Sequence, residues 1–136
     1  MKAKFAGLAA AVGFVLASGT AIAHHSFAAE FDANKPLNMK GTVTKIEWAN
    51  PHTYFYMDVS ESDGKVINWG MEMGSPNGLM RQGWTRNTLH VGDEVTVEGS
   101  QAKDGAHVGN ARAVTLAATG KRLFAATSQT ETPQQR

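Results

Sequence analysis

From Lys40 onward, apolar and polar residues alternate with the period of two that belongs to extended strands. In KGTVTKIEW, Val43 and Ile46 stand an odd number apart and cannot share one face of a regular strand, which predicts a bulge near Thr44 and Lys45. HTYFYMDV alternates without interruption: Thr53, Phe55, Met57 and Val59 form the more apolar row, and His52, Tyr54, Tyr56 and Asp58 the opposite one. Pro51 marks where this strand can begin, because it has no N–H to donate to a ladder. SDG at 62–64 signals a hairpin to the next strand, and its loop length decides the register. A two-residue loop would set Phe55 against Glu72, whereas a three-residue loop with Gly64 in the left-handed region sets it against Met71. Only the second joins both apolar rows, placing Ile67, Trp69, Met71 and Met73 with Val59, Met57 and Phe55. The outward row of His52, Tyr54, Tyr56 and Asp58 then faces Gly74, Glu72, Gly70 and Asn68.

SPNGLMRQGW breaks the alternation. Ser75 can cap a helix, Pro76 fits its first turn, Leu79, Met80 and Trp84 would face a core, and Gly83 stands near the stop; Gly78 inside keeps the helix short. TLHVGDEVTVEGS then gives a turn at Gly92–Asp93 and a strand with Val95 and Val97 inward. KDG at 103–105 suggests another hairpin, and NARAVTLA a strand with Arg112, Val114 and Leu116 in one row. Residues 125–136 lack a core pattern and read as a disordered polar tail. Three strands, a short helix and two more strands make a mainly β chain, in the order of a small five-stranded OB-like barrel over residues 40–124 with its one helix between strands 3 and 4. Residues 24–39 are expected to pack on that barrel, because Phe27 and Phe31 need burial.

The first 23 residues change the picture of charge and compartment. Lys2 and Lys4, the apolar run Phe5–Leu16 and the small-x-small triplet Ala21-Ile22-Ala23 form the pattern of a secretory signal, and the run is too short for an ordinary membrane span. Cleavage after Ala23 would leave 113 of the 136 residues, without a membrane span, in the periplasm or outside the cell. Taking Lys2 and Lys4 from the 13 basic residues leaves 11 against 12 acidic ones, so a formal charge of +1 becomes −1. A nearly neutral domain lacks the basic footprint that phosphate backbones require, which argues against nucleic acid as a partner. The chain has no cysteine, so disulfides, thiolate ligands and cysteine nucleophiles are all excluded. At 42% hydrophobic and 18% charged, the composition permits a packed core in one domain.

The stretches AHHSFAAEFD, GTVTKIEWANPHTYFYMDV, NWGMEMGSPNGLMRQGW and GDEVTVEGSQAKDG resemble an uncharacterised family of small exported bacterial proteins, a domain of unknown function. The resemblance spans His24 to Phe124 and implies an OB-like barrel; it brings no activity with it.

Two patterns carry candidate chemistry. A cut after Ala23 would give His24 a free α-amine beside its imidazole, two nitrogen donors for one ion, which resembles half of the copper-binding histidine brace of lytic polysaccharide monooxygenases and some copper carriers. His52 is the first choice for a further imidazole, ahead of His25, His90 and His107, and Glu72 lies within diagonal reach to orient or ligate it. The plainer alternative is that His24 and His25 are solvated and that the histidine of NPH bonds a backbone carbonyl. The other pattern is the outward row of His52, Tyr54, Tyr56 and Glu72, on the strands with which OB barrels hold ligands. There a small ligand or a periplasmic protein partner would bind, unless residues 24–38 cover the row. Met57, Met71 and Met73 share the inward row with Phe55 and Trp69, so packing explains them better than thioether ligation does, even with Met39 and Met80 nearby. No serine, threonine or lysine nucleophile with its base stands out, and Asp93-Glu94 reads as a turn flank, so hydrolysis has no named residues.

Overall fold

The computed structural model describes residues 27–126. The expected signal segment, His24, His25 and residues 127–136 of the expected tail lie outside the described residues. The order is α1 (Phe27–Glu30), β1 (Phe31–Glu47), β2 (Tyr54–Ser60), β3 (Val66–Glu72), α2 (Pro76–Arg81), β4 (Glu94–Ala102), β5 (Val108–Leu116) and β6 (Arg122–Phe124). The chain is mainly β, with six strands rather than the five expected and two short helices. The strands hydrogen-bond in the order β3-β2-β1-β4-β5-β6, and a further pairing of β3 with β5 joins the first five into a ring. That closing pair is parallel, Gly70↔Val108, Met71↔Gly109 and Glu72↔Asn110, and every other pair is antiparallel.

The β2–β3 hairpin has the register expected from its rows: Phe55 pairs with Met71, Tyr54 with Glu72 and Tyr56 with Gly70. Gly64 takes a φ of 86°, a left-handed value that glycine adopts without a Cβ penalty, and Glu61 N donates to Lys65 O across the loop. The β1–β2 register shifts between Val43 and Lys45, where the bulge was expected. Val43 is thereby buried, and Ile46 packs against the same core. That core is built from Phe55, Met57, Met71, Met73, Val95, Val97 and Val114, all essentially without solvent contact. At about 1.5–3 kcal/mol for each large apolar side chain buried, this row is the main source of stability.

Four expectations are corrected. Residues 31–39 are not a separate packing segment but the first half of β1, paired with β4 from Phe31↔Ala102 onward. Leu37 and Met39 lean on the core, and the shift in register between Asp32 and Pro36 accommodates a residue that cannot donate to a ladder. Arg112 does not share an inward row with Val114. The β4–β5 register shifts between Glu98 and Gly99, which pair with Ala113 and Ala111, so Arg112 is the extra residue and stands exposed while Ala111 and Val114 face in. Met80 is 51% exposed, whereas Leu79 and Trp84 are buried as expected. Lastly, order continues past Phe124: Ala125 and Ala126 are buried, Ala125 N donates to Arg112 O, and Gly74 N donates to Ala125 O.

Helix α2 begins as its sequence requires. The Ser75 hydroxyl accepts from Gly78 N at 3.1 Å, and Pro76 occupies the first turn, where its missing N–H costs nothing. Trp84 then donates its indole N–H to Phe124 O at 2.7 Å, tying the helical link to β6. Among the described residues, no helix is long and apolar enough to cross a membrane.

Candidate functional site

Beyond the start of β2 the ladder with β3 continues through the backbone, since Thr53 N donates to Gly74 O and Met73 N donates to Thr53 O. His52 is therefore held in line with the outward row, one diagonal step from Glu72. Its Nδ1 lies 3.1 Å from Glu72 Oε1, and Tyr54 Oη donates to Glu72 Oε2 at 2.5 Å. The imidazole and the carboxylate are thus close enough to pair when the ring carries its second proton. Glu72 is outward in the hairpin, yet its residue is only 5% exposed. Desolvation of a carboxylate is costly unless it is hydrogen-bonded, and here Tyr54 supplies a donor to Oε2 while His52 Nδ1 stands beside Oε1. Burial, followed by the hydrogen bond to Glu72, pushes the Tyr54 phenol well above its ordinary pKa, so it stays a donor across the neutral range.

Tyr54 and Glu72 form part of an open cleft of about 410 Å³. Ala29, Glu30 and Phe31 contribute one side of its lining, and Lys103, Asp104 and Ala106 of the β4–β5 hairpin another, with Ala102 and Val108 completing it. Stacking of Phe27 on Phe31, with ring centroids 5.7 Å apart, anchors α1 to the start of β1. Lys103 N donates to Glu30 O, tying this edge to the hairpin. Asp104 Oδ1 accepts from Ala106 N at 2.9 Å, and Gly105 has a positive φ of 78°, so the hairpin tip is tightly turned.

The other sequence candidates sit elsewhere. The Tyr56 ring lies over Gly70: a Cβ added there would meet Tyr56 Cε1 at 3.2 Å, so the space above that glycine is filled by the ring it faces. Lys45 Nζ stands 5.3 Å from the centre of the same ring and 2.5 Å from Glu47 Oε1. Their hydrogen bond holds the Lys45 ammonium above its ordinary pKa and the Glu47 carboxyl below its own. The structure thus gathers His52, Tyr54 and Glu72 and leaves Tyr56 in a separate surface cluster. His90 Nδ1 lies 3.7 Å from Asp93 Oδ2, and His107 packs a tilted ring on Trp69 at 5.1 Å. His24 and His25 lie outside the described residues. Among the described residues no three His, Asp or Glu side chains gather as a group that could hold an ion.

Sequence reasoning did not anticipate the lining from Glu30, Lys103, Asp104 and Val108. KDG was legible as a turn, but its nearness to Tyr54 depends on β5 lying beside β3. Chemically, this arrangement can do two things: offer a fixed, nearly dry carboxylate to a hydrogen-bond donor, or present an oriented imidazole to a proton or an ion.

A ring of five strands with a cleft of mixed lining beside its parallel closure defines the class as a small β domain. The chain belongs to the family of unknown function DUF6152, whose family model matches residues 12–111. No curated protein and no solved structure matches the chain.

Proposed function

We propose that this chain is an exported binding module, an OB-like barrel that takes a small ligand or a periplasmic protein partner in the cleft at the end of β2 and β3. The barrel reading is supported by the pairing order around the ring, by the parallel β3–β5 closure and by the single helix α2 between β3 and β4. Export is supported by the signal pattern of residues 1–23. One observation carries the binding reading: a nearly buried carboxylate, hydrogen-bonded by Tyr54 with His52 beside it, contributes to the surface of an open cleft. Its volume falls in the range of small-molecule sites, roughly 300–1,000 Å³. The test is an amide-resolved NMR screen of a small-fragment library on protein beginning at His24, with intact mass of exported protein confirming that start. Hits should move the amides of Phe31, Lys103 and Val108 and be lost in Tyr54→Ala. Hits that cluster elsewhere, or none at all, would remove the reading.

A second reading, periplasmic copper binding, is favoured by the His52–Glu72 contact. A carboxylate 3.1 Å from the Nδ1 of a histidine is the kind of neighbour that orients a metal-ligating ring. The amine and imidazole of His24 would complete a brace, with His25 as the lesser candidate. Copper content of correctly processed protein after dialysis decides it: stoichiometric copper lost in His52→Ala supports the brace, and unchanged retention in that variant excludes His52.

A further inference from the structure

Resting on the cleft assigned above, we infer that its ligand is a compact organic cation, an ammonium group carried on a small apolar body. The argument starts from Glu72. An ionised carboxylate offers about four acceptor positions, Tyr54 uses one of them, and His52 Nδ1 stands 3.1 Å from the other oxygen. Its residue is 5% exposed and lines the cleft, so a donor bound there meets a carboxylate already stripped of most of its water. There a charge-assisted hydrogen bond counts for more than it does at an open surface, because little solvent competes.

The remaining lining agrees in sign and in shape. Asp104 brings a second carboxylate from the hairpin, with Oδ1 already oriented by Ala106 N. Lys103 is the one cationic side chain among the described lining residues and is exposed, so the cleft as a whole opposes an anion. Phe31, Ala102 and Val108 supply apolar surface suited to the body of such a ligand.

Three probes of one shape test the inference: benzylammonium, benzyl alcohol and benzoate, each titrated into protein beginning at His24 with amide NMR to locate binding and calorimetry to rank it. Benzylammonium should shift Phe31, Ala106 and Val108 and bind at least about ten-fold more tightly than benzyl alcohol, the factor expected of one good hydrogen bond to a charged group. Added salt should weaken it, and benzoate should leave these amides unmoved. Glu72→Gln should reduce affinity at least about ten-fold. Asp104→Asn, on the exposed hairpin where folding is not at stake, should reduce it by a smaller measurable factor. Benzyl alcohol or benzoate binding in the cleft as tightly as the amine would overturn the ammonium class while leaving the binding module standing. No probe reaching the cleft would sink both. Copper(II) alone displacing the amine at equimolar concentration would also overturn it, in favour of the metal reading.

Discussion

Removing one oxygen atom tests whether the Glu72 network is as tightly built as its distances imply. Tyr54→Phe keeps the ring and deletes the donor that lies 2.5 Å from Glu72 Oε2. Hydrogen bonds to charged groups contribute about 1.5–3 kcal/mol, and the side chain of Glu72 is 7% exposed, so bulk water cannot simply replace the hydroxyl. The cleft beside it is open, however, and a single water bound there would recover part of the loss. A cost of about 2 kcal/mol follows, and at roughly 4–8 °C per kcal/mol for a domain of this size the midpoint should fall by about 8–16 °C. Urea denaturation followed by fluorescence of Trp48, Trp69 and Trp84 measures it. The double-mutant cycle with Glu72→Gln should return a coupling energy of about 1 kcal/mol or more, because each partner's loss is felt through the other. A Tyr54→Phe protein within roughly 0.3 kcal/mol of wild type, with no coupling, would mean that this carboxylate is adequately solvated without the phenol, and the account of the cleft built on its dryness would fail.

The same phenol predicts an alkaline limit. Its folded pKa is raised, so its contribution is complete below the ordinary tyrosine value near ~10 and is lost as pH rises past it, where the unfolded chain ionises first. Between about pH 9.5 and 11, wild type should therefore lose more stability than Tyr54→Phe, and parallel slopes in urea would contradict this. Gly99→Ala should cost about 3 kcal/mol or more, because its Cβ would collide with Asn110 O and lie 2.9 Å from Asn110 C, both backbone atoms; circular dichroism melts would show it, and an unchanged melt would deny the close approach. Ser75→Ala should cost about 1 kcal/mol through loss of the cap on Gly78 N, and Ser75→Asp should restore most of it in the same melts.

What was readable from the chain follows from the range of the interactions involved. The face of each residue in β2 and β3 is a local property of alternation plus one loop length, so Phe55↔Met71 and Tyr54↔Glu72 follow from the amino-acid order alone. Parity also exposed the bulge near Lys45, because Val43 and Ile46 conflict in plain view. The bulge at Arg112 gave no such conflict: Arg112, Val114 and Leu116 are evenly spaced, and only the register against Glu98 and Gly99 reveals the extra residue. Arg112 and Arg122 both approach Glu98 there, with contacts of 3.8 Å and 2.9 Å. The hydrogen bond from Arg122 is the leading cause that lowers the Glu98 carboxyl pKa. The first half of β1 was also hidden. Asp32, Asn34, Lys35 and Pro36 fall in the segment expected to pack on the barrel, and only pairing with β4 makes a strand of it.

The candidate site was legible in part for the same reason. His52, Tyr54 and Glu72 meet within one hairpin and its backbone extension, which local pattern describes. The depth of Glu72 does not follow from that hairpin, whose outward row would by itself leave a carboxylate in water. It follows from ring closure, because Glu72 is one of the three β3 residues paired with β5 and its partner is the buried Asn110. Asn110 pairs with Ser100 of β4 as well, so one residue joins the strand that carries the carboxylate to the hairpin that carries Asp104. Asn110 O is also the atom that Gly99 approaches too closely to accept any side chain. Closure thus sets the dryness of Glu72, while the position of Asp104 depends on the same strand. A variant that loosens β5 should therefore weaken ligand capture without touching a single lining residue. Gly99→Ala separates the two effects: if it lowers stability yet leaves probe affinity at the wild-type value in the folded fraction, the cleft is set by the β2–β3 hairpin alone and ring closure only supports it.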